Sequence, residues 1–129
     1  MKRILSAAAV SLALLSGCAH TDKAMLITEQ GLAAAEAPWH ADYMAAADAC
    51  EAAHTPQTPE MEACFGPMYD ADAKVKIAVE SIVTLLRGYW VARAQGQNPD
   101  LRNILKQVSA LVDTLPPQAV PYFKRVIGI

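Results

Sequence analysis

The sequence predicts an all-α protein: a small helical bundle built on a disulfide-stapled antiparallel helical hairpin, with two shorter C-terminal helices. Three observations carry this. Apolar residues recur at spacings of three, four or seven along most of the chain, the repeat of one helix face. No stretch alternates apolar and polar residues as a half-buried strand does. Two cysteines, Cys50 and Cys64, stand at equal distances from a Pro-rich turn centred on Gln57. With 129 residues, 53% hydrophobic and 19% charged, the chain has material for one domain. That balance excludes a disordered acidic tail and a low-complexity linker.

The chain opens with Lys2 and Arg3, then an uncharged run from Ile4 to Leu15, then Ser16, Gly17 and Cys18. A basic start, a short apolar run and small residues form the layout of a secretory signal. The run falls short of the ~18 residues that read as a membrane-spanning helix. Leu15-Ser16-Gly17-Cys18 resembles the lipobox of bacterial lipoproteins at all four positions, and the resemblance covers residues 1–18 only. It implies cleavage after Gly17, a diacylglycerol on the Cys18 sulfur and an acyl chain on the new amino terminus. Ala19 follows, not the aspartate linked with inner-membrane retention in enterobacteria. The resemblance therefore implies the outer membrane, facing the periplasm. The expected organisation is a signal peptide at 1–17, a lipidated tether at 18–21 and a helical domain at 22–129. Each buried methylene contributes ~0.8 kcal/mol, so two or more chains hold a protein firmly to its membrane.

The first helix is expected over 22–54, with Thr21 as N-cap. Met25, Leu32, Trp39, Tyr43, Ala46 and Cys50 share one face, and 11 alanines between Ala33 and Ala53 favour helix and close packing. Pro38 lacks a backbone donor, which predicts a kink or short break. Thr55 to Pro59 is the turn, with Thr58 capping the next helix and Pro59 in its first position. The second helix is expected over 59–95, irregular at Gly66-Pro67. Val75, Val79, Ile82, Leu86, Tyr89 and Arg93 form its stripe. Ile77, Val83 and Trp90 lie off it, which predicts a central helix covered on several faces. Asn98 and Pro99 start the third helix, over 99–115, with Leu101, Ile104, Leu105, Val108, Leu111, Val112 and Leu115 inward. Pro116-Pro117 ends it. A last short helix over 118–127 offers Val120, Phe123, Val126 and Ile127.

If Cys18 is lipidated, Cys50 and Cys64 remain as an even pair in an oxidising compartment, where a bridge is the expectation. Residues equidistant from the turn of an antiparallel hairpin sit at similar heights, so the two are level. The same register sets Trp39 opposite Val75, Leu32 opposite Ile82 and Met25 opposite Tyr89, to within a few residues. Cys50 and His54, at i and i+4, also suit a metal, but zinc normally takes four ligands. His40 lies fourteen residues before His54, about 21 Å along a helix, too far to share an ion. The bridge is therefore preferred, with no metal and no cofactor expected.

His20, His40 and His54 are the only histidines, and the mature chain keeps only Ser81 and Ser109 as serines. No phosphate-binding glycine loop, nucleophile elbow or zinc-protease motif occurs. The expectation is a non-enzymatic protein. Trp39, Tyr43, Tyr89 and Trp90 suit a ligand pocket but, at helical spacing, more commonly form core. Without Lys2 and Arg3 the chain keeps nine of its 11 basic residues against 13 acidic ones, a net of −4, which argues against nucleic acid as a partner. Residues 22–72 hold ten acids and one base, Lys23; residues 73–129 hold eight bases and three acids. Lys23, Arg87, Arg93 and Arg102 fall near the membrane end, where anionic headgroups favour them. The far end carries Asp48, Glu51, Glu60, Glu62, Asp70 and Asp72 around Gln57, with no Lys or Arg from 48 to 72. Two uses of this acidic tip stay open: a surface for an envelope protein with a basic face, or charge that keeps an alanine-rich hairpin soluble. The expected role is a binding or scaffolding module of the envelope. The alternatives are an immunity or exclusion lipoprotein against a toxin or phage, and a small-ligand carrier.

Overall fold

The computed structural model describes residues 19–127, so residues 1–18, with Cys18 and the signal, lie outside the described residues. Four α-helices and a closing 3-10 turn follow in order: α1 (Ala19–Ala53), α2 (Pro59–Ala94), α3 (Leu101–Asp113), α4 (Val120–Phe123) and the turn Lys124–Ile127. The all-α class holds, with no strand among the described residues. Helices α1 and α2 form the antiparallel hairpin, stapled by a Cys50–Cys64 disulfide with the Cα atoms 5.8 Å apart.

Several helix boundaries differ from the sequence expectation, for local reasons. Helix α1 is already helical at Ala19, so Thr21 lies inside it and is not its N-cap. Pro38 and Pro67 each sit inside a continuous helix rather than breaking it. Each removes one amide donor, but Pro38, Pro67 and the residues four before them, Ala34 and Ala63, are all exposed. The freed carbonyls can therefore turn to water. Thr58 does cap α2: its hydroxyl accepts from the Met61 amide at 3.3 Å, with Pro59 first in the helix. Gln57, at φ 63°, adopts the left-handed conformation that lets the turn close. Asp100, not Asn98, caps α3, accepting from the Asn103 amide at 3.1 Å. Asn98 instead accepts from Arg93 Nη1 at 2.7 Å. The last segment is four residues of α-helix and a 3-10 turn, not one longer helix. Residues three apart eclipse in a 3-10 geometry. This suits Phe123 and Val126, which both reach the core.

The core joins Met25, Leu32 and Trp39 of α1 to Val75, Ile82, Leu86 and Tyr89 of α2, with Val108, Val112, Phe123 and Val126 from the C-terminal elements. Helix α1 packs on α2, on α4 and on the closing turn, while α2 packs on α1 and α3. The C-terminal elements thus lie over one side of the hairpin. The expectation that α2 is covered on several faces is corrected here, since Ile77 is 65% exposed and Val91 50%.

Candidate functional site

Contacts across the hairpin follow the register set by the turn. Moving away from Gln57, Cys50 meets Cys64, Tyr43 packs on Phe65, Trp39 bonds Asp72, Glu29 bonds Trp90 and Asp22 bonds Tyr89. As far as Trp90 both members step outward together, as antiparallel helices require; Asp22 then reaches back to Tyr89. Three of these pairs place a polar bond where an aromatic ring meets the other helix. Trp39 Nε1 donates to Asp72 Oδ1 at 2.9 Å in a buried setting. Trp90 Nε1 donates to Glu29 Oε1, and the Tyr89 hydroxyl donates to Asp22 Oδ1, the latter at 2.6 Å. Arg93 Nε adds a second donor to the same Asp22 oxygen at 3.2 Å, locking the start of α1 to the end of α2. Burial, followed by the bond to Asp22, raises the Tyr89 phenol above its ordinary value. Hydrogen bonding and charge attraction to Asp72, 2.9 Å away, raise the Lys76 ammonium.

At the tip the structure divides the expected surface. Asp48, Glu51, Gln57, Glu60, Glu62 and Asp70 are exposed. Asp72 is not part of that surface and is a correction. It is 6% exposed, fixed by Trp39 on one oxygen and by Lys76 on the other. Two residues past exposed Asp70 the helix has rotated by about 200°, which brings the Asp72 side chain round to face α1. Cys50 is buried and Cys64 exposed, so the staple has one wet side. Each sulfur is bonded to the other, which removes both thiolates as metal ligands. Beside the staple, Tyr43, Phe65 and Tyr69 form an aromatic row, with centroid separations of 5.3 and 6.3 Å.

The aromatic residues read as pocket or core serve as both. Tyr89 and Trp39 are buried in the core. Trp39 and Trp90 also line successive parts of a groove between α1 and α2, on the side that the C-terminal elements leave open. Tyr43 is set against Phe65 instead. The groove has two stretches of about 560 and 660 Å³ that share Ala33 and Glu36. Val79 and Val83 line its floor, with small residues Ala33 and Ala37 opposite. Its α1 wall carries Glu29, Glu36 and His40; its α2 wall carries two acids, Asp72 and Glu80, and two bases, Lys76 and Arg87. The sequence reading holds a pocket at these aromatic residues only as an alternative to core; Trp39 and Trp90 line the groove, and Tyr43 and Tyr89 do not. No helix among the described residues is long and apolar enough to cross a membrane. Comparison with protein-family models, with curated proteins and with solved structures returned no match.

Proposed function

We propose that this chain is a lipid-anchored, non-enzymatic binding module of the bacterial cell envelope. It is held through acylated Cys18 at the outer membrane, facing the periplasm, and offers its hairpin tip to a partner with a basic surface. The observation that carries this reading is the tip itself. Asp48, Glu51, Glu60, Glu62 and Asp70 are exposed around Gln57, on a turn cross-linked by Cys50–Cys64, and no Lys or Arg lies from 48 to 72. A rigid turn loses less conformational entropy on binding than a mobile one. Charge of one sign speeds encounter with an oppositely charged face. The position of α1 also supports the reading. It is helical from Ala19, directly after Cys18, and its 35 residues span about 52 Å. A helix rising steeply from its anchor would carry the acids well clear of anionic headgroups, where they are favoured.

Two measurements test it. Cells labelled with radioactive palmitate should give a labelled, membrane-bound product, and Cys18→Ser should abolish both label and membrane retention. A photo-crosslinking amino acid at Gln57 or Glu60 should give a discrete heterologous adduct that Gln107, on α3, does not. An unlabelled wild-type product would remove the anchor. Equal labelling at tip and control sites would remove the tip interface and leave the acids a solubilising role.

A further inference from the structure

We propose that the Cys50–Cys64 bridge is a redox clasp: a dithiol opens it from the Cys64 side, and the distal part of the hairpin then loosens while its base stays folded. The first ground is where burial stops. From His40 to Asp70, Cys50 is the only buried residue. The buried cluster takes Met25, Leu32 and Trp39 from before that stretch and Val75, Ile82 and Tyr89 from after it. Tyr122 meets α1 at Trp39 and Asp42, so the C-terminal elements close over the same base. Beyond the Trp39–Asp72 bond, the two helices are joined by the bridge and by Tyr43 on Phe65, half-buried rings 5.3 Å apart. The distal part of the hairpin is therefore stapled rather than packed.

The second ground is what the bridge holds against. Asp48 and Glu51 flank Cys50, Glu60 and Glu62 precede Cys64, and no Lys or Arg lies from 48 to 72. Like charges on the two arms oppose their closure. Gln57 keeps φ 63°, a conformation that residues other than glycine rarely adopt. Just past Cys64, Gly66 and Pro67 are the two poorest helix formers, and nothing lies within 4 Å of where a side chain at Gly66 would begin. Once the bridge is open, the turn and the start of α2 keep only the Tyr43–Phe65 contact. The entry side follows from access, since Cys50 is buried and Cys64 exposed. A thiolate of the dithiol attacks the Cys64 sulfur, and Cys50 leaves as a thiolate that takes up a proton. The second thiol then attacks the dithiol sulfur of the mixed disulfide and releases Cys64 as a thiol. Two electrons and two protons thus pass to the bridge, and the dithiol becomes a disulfide. Control of a partner by this clasp rests on the tip interface proposed above; the opening itself does not.

Hydrogen exchange on the whole protein, oxidised and after dithiothreitol, tests this. In the reduced protein, peptides covering residues 58–66 should exchange faster by on the order of tenfold or more, while those covering 78–86 keep their rate. A variant carrying both Cys50→Ser and Cys64→Ser should behave as the reduced protein without any reductant. Removing dithiothreitol and adding oxidised glutathione should restore the protection. A brief pulse of 2-mercaptoethanol, stopped with acid, should leave its adduct on Cys64 and a free thiol at Cys50. Four results would each overturn the proposal: unchanged exchange over 58–66, quickening by the same factor over 78–86, protection that does not return on reoxidation, or an adduct on Cys50. Every readout is made on this chain alone, so the clasp and the proposed function can fail separately.

Discussion

At the scale of single residues, the polar atoms on the hairpin's aromatic rings bond across the two helices and so help to set register. Trp39 and Asp72 are both buried, and each is the other's hydrogen-bond partner. Removing either leaves a buried polar group unsatisfied, which costs ~1–3 kcal/mol, against ~1 kcal/mol for the bond as a net contribution. Trp39→Phe and Asp72→Ala should therefore each destabilise by ~1–3 kcal/mol or more in urea unfolding. The double variant should cost less than the two together, because no orphan remains. Strict additivity would show that the bond does not couple the helices. Asp72 also shows what the sequence reading overlooked. It belongs to an acidic run and looks like its neighbours Asp70 and Glu62, but it stands three residues before Val75, on the apolar stripe of α2, and that spacing was the signal that it turns inward. Trp39 is legible as core from its spacing alone.

At the scale of elements, the hairpin was legible because its signals agree: two cysteines level about Gln57, a Thr-Pro helix start, and apolar positions that pair across the turn. The bridge closes a loop of about fifteen residues, which contributes about 3 kcal/mol by restricting the unfolded chain. Cys50→Ala should lower the melting temperature in oxidising buffer by on the order of 10 °C. The exposed side of Cys64 lets a reductant reach the bridge, so under dithiothreitol wild type and variant should melt close together. A gap that persists under reductant would assign the loss to packing around buried Cys50 rather than to the cross-link. The helix ends were less legible. Pro38 and Pro67 read as breaks because proline removes a donor, but the cost depends on whether water reaches the carbonyl four residues back, and burial is not written locally. Asn98 and Asp100 are both good caps on composition. The contact from Arg93 occupies Asn98 and leaves the cap to Asp100.

At the scale of the whole molecule, the chain covers one side of its hairpin with residues 101–127 and leaves the other as a groove. The covered side depends on few residues. Helix α4 and the closing turn are four residues each, too short to be stable alone, and Phe123 and Val126 carry them into the core at 0% and 1% exposure. Phe123→Ala should cost ~3–5 kcal/mol, a large share of the ~5–15 kcal/mol expected for a whole domain. That cost need not fall evenly. Between α1 and α2 the hairpin keeps its disulfide and the Trp39–Asp72 and Tyr89–Asp22 bonds, none of which involves Phe123. Helix α3 packs on α2 but shares no disulfide with the hairpin, and its inward residues Val108 and Val112 belong to one cluster with Phe123. In Phe123→Ala, hydrogen exchange should therefore quicken across residues 101–127, while amides in the middle of α2 keep most of their protection. Quickening by a common factor along both segments would mean that the hairpin has no stability of its own and that the domain opens only as a unit.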